Sequence, residues 1–363
     1  MTLILLGCAC SGNSDGSGES IIDQDDNTSL DESFNVNGLL EDAVNSNIIP
    51  AVNILIEEAS KLNLSVSTFV EIPTEGNLIA AQNQWKTTAL AYADIHAFNI
   101  GEVRDKFLNL AIYNWPTLPS AIENIIADND EVNDELLSKF SSQVKNLAAI
   151  EYLLFAESNS SLLEKYITSQ KRRNYLSLSA EYTKEQSERL LTIWKEPTNY
   201  ANTFLTNEST GIKGSFNMYY NGLYNLIDTG KVTKIGKPAG LENSTNTDPE
   251  ITQAFYSHTS LEILKRNIVS IQNVYFKDNG LGLSDYAFSI AKNNTLNNAV
   301  EAKINEVISA IEAIPTNLYT AIVTNHDEVK LLHEKLEELG VLFSVDLRSL
   351  LSITITSTDN DGD

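Results

Sequence analysis

Cysteine is almost missing from this 363-residue chain: the two present, Cys8 and Cys10, both stand near the N-terminus. Their placement excludes disulfides, thiolate metal sites and cysteine nucleophiles from the rest of the protein. Positive charge is scarce as well. Lys and Arg number 25 against 49 Asp and Glu, a formal net charge of −24, which repels polyanions and excludes nucleic acid as a partner. After the N-terminus no segment approaches the ~18 consecutive apolar residues of a membrane span. No Gly-x-Ser-x-Gly turn occurs in the body of the chain, and Ser257-His258 has no evident orienting acid or oxyanion hole, so a serine hydrolase is excluded. Strand-like runs are too few to build a sheet.

The chain does contain enough apolar residues, 42%, to bury one large core or two of ordinary size. It opens with MTLILLGCACSG, in which Leu5-Leu6-Gly7-Cys8 resembles a bacterial lipobox. That motif makes Cys8 the expected lipidation site. Cys10 lacks the leucine that a lipobox places three residues before its cysteine. The segment SGNSDGSGESIIDQDDNTSLDES follows, without helical or strand period, and is expected to form an acidic flexible tether. Residues 1–35 therefore predict a signal-peptide remnant, a lipid anchor and a tether. They place the protein in the bacterial cell envelope, on the periplasmic side of the outer membrane or at the cell surface.

From residue 36 onward the pattern is helical. Leu40, Val44, Ile48, Val52, Leu55 and Leu62 recur at intervals of three, four or seven, with Pro50 expected to break or kink their helix. Helices are predicted over 77–98, with Thr74 as N-cap and Gly101 beyond the end, over 133–156, and over 160–194. NWPTLP, with Pro116 and Pro119, predicts a turn. Residues 205–250 are rich in Gly and Pro and predict turns with an extended connection around VTKIGKPAGLENSTNTDPE. Helix resumes over 252–274 and from 285 to near the end. The expected fold is all-α, with helical-bundle domains at 36–200 and 201–363 and a groove between them.

One residue breaks the apolar pattern at a sensitive point. In VKNLAAIEYLLF the side chains of Val144, Leu147, Ala148, Leu154 and Phe155 share a helix face, and Glu151 falls at its centre. An unpaired ionised carboxylate in an apolar core costs roughly several kcal/mol, so Glu151 must be protonated, partnered or facing a cavity.

The stretches AQNQWKTTALAYADIHAFNIG, IYNWPTLP, KNLAAIEYLLF, KIGKPAG, FYSHTSLEILKRNI and the closing DNDGD together resemble the imelysin family of bacterial envelope proteins. The resemblance implies two helical bundles related by duplication, with a site in the groove between them. It also implies an association with iron uptake or, alternatively, metallopeptidase activity. Many members carry Gly-x-His-x-x-Glu at the position of NLAAIE. Here Glu151 is kept, but Asn146 and Ala148 stand at the glycine and histidine positions, so Glu151 is what remains to meet a metal such as iron, and no catalytic residue is assigned.

Other candidates are binding residues. Asn114 and Trp115 lie at the turn and are expected to line the groove. Ser257, His258 and Ser260 precede a helix, where the serines are expected to cap exposed N–H groups and the helix N-terminus to suit an anion. His326, His333 and Glu337 share a broad helix face read as exposed rim, since Val329, Leu332, Leu336 and Leu339 supply the core stripe. Asp359, Asp361 and Asp363 have calcium-loop alternation without the rest of the loop. The expected function is ligand binding in the groove in the service of iron or other metal acquisition. The alternatives are a metallopeptidase and a non-catalytic structural or partner-binding surface protein.

Overall fold

Pro50 marks a local irregularity in a helix that continues through it. The chain is helical from Val36, passes through a π-helical turn at Ala43–Ile48, and continues as α1 (Ile49–Glu71). A proline ring collides with the carbonyl four residues earlier and offers no N–H. The wider π-turn precedes it, and Ile49 donates to Val44 O, five residues back, which opens the coil where the ring must fit. Val52, Leu55, Ala59, Leu62 and Val66 then bury one continuous stripe. The structure, a computed structural model, describes residues 34–356; Cys8, Cys10 and the tether on one side, and Asp359, Asp361 and Asp363 on the other, lie outside them.

The helix α2 (Glu75–Ile95) starts at Thr74, whose hydroxyl accepts from Asn77 N at 3.3 Å. Gly101 has φ +49°, and a Cβ there would lie 1.7 Å from the Tyr200 hydroxyl oxygen. Only glycine meets both conditions. After the NWP turn comes α3 (Pro119–Asp128).

The continuous helix expected over 133–156 is interrupted. The segment after residue 138 leaves the helix, and α4 (Leu147–Phe155) begins afresh from Asn146. Asn146 is fully buried. Its Oδ1 accepts from Ala148 N at 2.9 Å and its Nδ2 donates to Leu110 O at 3.2 Å, a cap that competes with helix continuation. Ser169 acts similarly, accepting from Arg172 N at 3.2 Å, so the helix expected over 160–194 divides into Asn159–Thr168 and α5 (Gln170–Trp194).

The extended connection expected around VTKIG is also helical. Helix α6 (Ser215–Thr229) runs directly into a π-helical stretch, Gly230–Gly236. It is followed by α7 (Ser260–Tyr275), α8 (Thr295–Ala313) and α9 (His326–Val341).

In the first half α1 packs against α2 and α5, and α2 against α4; in the second, α8 packs against α7 and α9, and α6 against α9. The two halves meet where α7 lies on α2. There Arg266 makes a two-pronged ion pair with Asp94, and Asn267 Nδ2 donates to Ala93 O at 2.8 Å. The protein is all-α: no strand occurs among the described residues, and no single described helix is long and apolar enough to cross a membrane.

His333 corrects the rim expected on α9. It is buried, and its Nε2 lies 2.8 Å from Glu242 Oε1. The loop after α6 covers this side of α9, so the buried face is wider than the leucine stripe alone. His326 and Glu337 are exposed.

Candidate functional site

Every residue of α4 from Leu147 to Leu154 is buried except Tyr152, and Glu151 is only 3% exposed. Its Oε1 accepts from Ser257 N at 2.8 Å. Burial pushes the carboxyl up to about 7, against the hydrogen bonds from Ser257 and the Tyr256 backbone, which favour the anion. Protonated and ionised forms therefore coexist near neutral pH.

Glu151 opens on a cavity of about 240 Å³, with Trp115 and Ala148 contributed by the first half and Asp248, Glu250 and Tyr256 by the second. That is room for about eight waters. Three carboxylates and three aromatic rings in its wall favour positive charge or hydrogen-bond donors over anions.

Trp115 links this cavity to a second set of buried polar groups. Lys234 Nζ lies 5.7 Å from the Trp115 ring centroid, and the His96 and Tyr113 rings meet that ring edge-on at 6.3 and 5.7 Å. Lys234 projects from the π-helical stretch, is 3% exposed, and donates to Asn267 Oδ1. Burial brings its ammonium down to about 7. Burial together with the Lys234 charge holds His96 down to about 3, so its imidazole is neutral. The Tyr113 hydroxyl is buried without a hydrogen-bond partner, and burial followed by the charge of Glu151 raises its pKa.

The structure thus brings Glu151, Trp115 and the Ser257 backbone together. Asn114 is half-buried and is not part of the cavity wall. His258 is exposed, with φ 58°. Neither serine caps α7: Ser257 Oγ donates to Ala254 O at 3.3 Å, and Ser260 Oγ donates to Gln253 O. Both hydroxyls hold the loop before the helix, and Glu151 is met there by the main chain of Ser257 and Tyr256 and by the Ser257 side chain.

Lys234 and His96 are not singled out by sequence patterning. Lys234 sits in a glycine-bounded run that reads as a connection, and His96 falls at the end of an ordinary amphipathic helix. A lysine between Val232 and Ile235 is the one local signal that could have drawn notice.

A resident catalytic metal does not fit these residues. Ala148 lies beside Glu151 in the cavity wall and offers no ligand. Among the described residues no group of three or more His, Cys, Asp or Glu side chains is arranged to hold a metal ion, whereas catalytic zinc takes three protein ligands.

Among the described residues of this all-α fold, Glu151 is the only buried carboxylate. The family model described as Imelysin matches residues 48–344, and the chain belongs to the imelysin family. It is 24% identical over 247 residues to iron-regulated protein A of Synechococcus elongatus, covering 66% of this chain and 64% of that relative, slightly under two thirds of its length. The fold is similar to the crystal structure of a protein from Parabacteroides distasonis described as an iron-regulated protein A precursor. That likeness has a TM-score of 0.74 at 19% identity over 86% of this chain and 94% of that one. An imelysin-like protein from Psychrobacter arcticum is similar at a TM-score of 0.73 and 18% identity, over 88% and 96% of the two chains.

Proposed function

We propose that this imelysin-family protein binds a positively charged ligand, metal-bearing or amine-bearing, in the Glu151 cavity and serves iron or other metal acquisition at the bacterial envelope. The observation that carries the reading is the buried Glu151 carboxylate, poised between its two protonation states on a cavity whose wall adds Asp248 and Glu250. A structural carboxylate would close onto a buried cation, as Glu123 does onto Arg172. Glu151 instead takes a main-chain N–H and leaves capacity for a ligand. The iron-regulated relative supports the iron connection, and the lipobox at Cys8 supports the envelope location. Binding to the ionised carboxylate releases a proton, so affinity rises with pH through neutrality and levels off above it.

The test is metal analysis of protein purified without chelators, joined to anaerobic calorimetric titration with Fe²⁺ and with a polyamine such as spermidine. Binding of either probe that strengthens from pH 6 to pH 8, and is lost in Glu151→Gln with the fold intact, supports the proposal. Absence of both, or binding indifferent to Glu151→Gln, overturns it.

A further inference from the structure

A chain of four aromatic rings leads out of the Glu151 cavity. Phe255 and Tyr256 stand in the cavity wall. The Tyr256 ring meets Tyr152 of the first half at 5.3 Å, Phe255 meets Tyr256 at 4.8 Å, and Tyr319 meets Phe255 at 5.1 Å, all edge-on, with interplanar angles of 66°, 71° and 71°. Tyr319 lies on the short helix Leu318–Thr324 and is 38% exposed. The rings therefore form one apolar path from the cavity wall to solvent.

The loop that carries Phe255 and Tyr256 is held at a conformational cost. Ala254 and His258 have φ 56° and 58°, the left-handed region that residues other than glycine rarely adopt. Ser257 Oγ and Thr259 N both donate to Ala254 O at 3.3 Å, closing the loop on itself. A ring surface preformed in this way costs a ligand less ordering on binding. Burial and, after it, the charges of Glu151 and Glu250 raise the Tyr256 hydroxyl, so the phenol lies beside two carboxylates. An aromatic compound bearing a carboxylate is repelled there. A bare metal ion is poorly served as well, since among the described residues no group of three or more His, Cys, Asp or Glu side chains is arranged to hold one. An organic ammonium meets the same negative charge with hydrogen bonds, and the ring faces with its cationic head.

We infer that the ligand of the Glu151 cavity is an organic ammonium carrying an aromatic ring, its cationic head beside Glu151 and its ring packed on Phe255 and Tyr319. The inference rests on the reading that this cavity binds a cation, and adds the chemical class of that cation and a specificity residue, Tyr319, outside the cavity wall. At about 240 Å³ the cavity is smaller than the roughly 300–1,000 Å³ of a pocket that encloses a drug-sized ligand. The body of such a molecule must extend along the rings.

Calorimetric titration at pH 8 with spermidine, N-benzylspermidine, its N-cyclohexylmethyl analogue and Fe²⁺ tests this in the wild type, Glu151→Gln, Tyr319→Leu and Tyr319→Phe. The benzyl compound should bind the wild type about tenfold more tightly than spermidine, and the saturated analogue should gain less. Tyr319→Leu should reduce the benzyl gain to about twofold, whereas Tyr319→Phe, which keeps the ring, should retain it. Spermidine binding through Glu151 with no benzyl gain, an equal gain from the saturated analogue, or a gain kept in Tyr319→Leu overturns this inference and leaves the cation site standing. Fe²⁺ binding through Glu151 without either polyamine does the same. If no probe depends on Glu151, the cation site falls and this inference with it.

Discussion

The Ser257 main-chain N–H donates to the Glu151 carboxylate across 106 positions of sequence, at 2.8 Å. This bond places a loop of the second half on the most apolar helix of the first. It also favours the ionised carboxylate, against the larger effect of burial, which raises the carboxyl pKa.

Stability should carry the signature of that carboxyl. Its folded pKa of about 7 stands above the ordinary carboxyl value of 4.5, so over that interval the native state keeps a proton that the unfolded state has lost. Stability therefore falls as pH rises from 4.5 to 7, by up to about 3 kcal/mol, and stays lowered above. His96 gives the opposite slope, because its folded pKa of about 3 lies below its unfolded 6.5, but it does so in both proteins. Urea unfolding should show Glu151→Gln gaining on the wild type between pH 4.5 and 7. A difference independent of pH would remove the assignment.

Neighbouring residues on α7 should differ sharply in worth. Asn267→Leu leaves both Lys234 Nζ and Ala93 O without their partner inside the protein, a loss of about 3 kcal/mol. Arg266→Ala removes a half-exposed ion pair with Asp94, worth under about 1 kcal/mol. Denaturant midpoints of the two variants measure the contrast, and equal losses would contradict it.

Peptidase assays should be negative. With Ala148 at the histidine position of the family motif, pure protein is expected to leave insulin and unfolded chains intact, with or without chelator. Reproducible cleavage abolished by both chelator and Glu151→Gln would establish a metallopeptidase instead.

Cys8 lies outside the described residues, and its role is testable in cells. In the native protein with its own leader, Cys8→Ser should move the protein from the membrane fraction to the soluble fraction. Retention in the membrane fraction would refute lipid anchoring at this residue.

Local chemistry made the helical class, the Thr74 cap, the NWP turn and the anomaly of Glu151 readable from the sequence, because hydrophobic period, capping side chains and proline act within a few residues. The breaks at Asn146 and Ser169 were missed although both are good caps: whether such a side chain caps or merely rides on a helix depends on packing, and Asn146 is held by Leu110 O, 36 residues away. At Pro50 the expected irregularity takes the form of a π-helical turn at Ala43–Ile48, which no hydrophobic period reveals. Tertiary structure alone decided what faces Glu151, because its partner is a main-chain N–H, which has no sequence signature. The same holds for Lys234 and His96: a lysine is solvated or desolvated according to what folds over it, and Lys234 is buried where Asn267 of α7 accepts its bond.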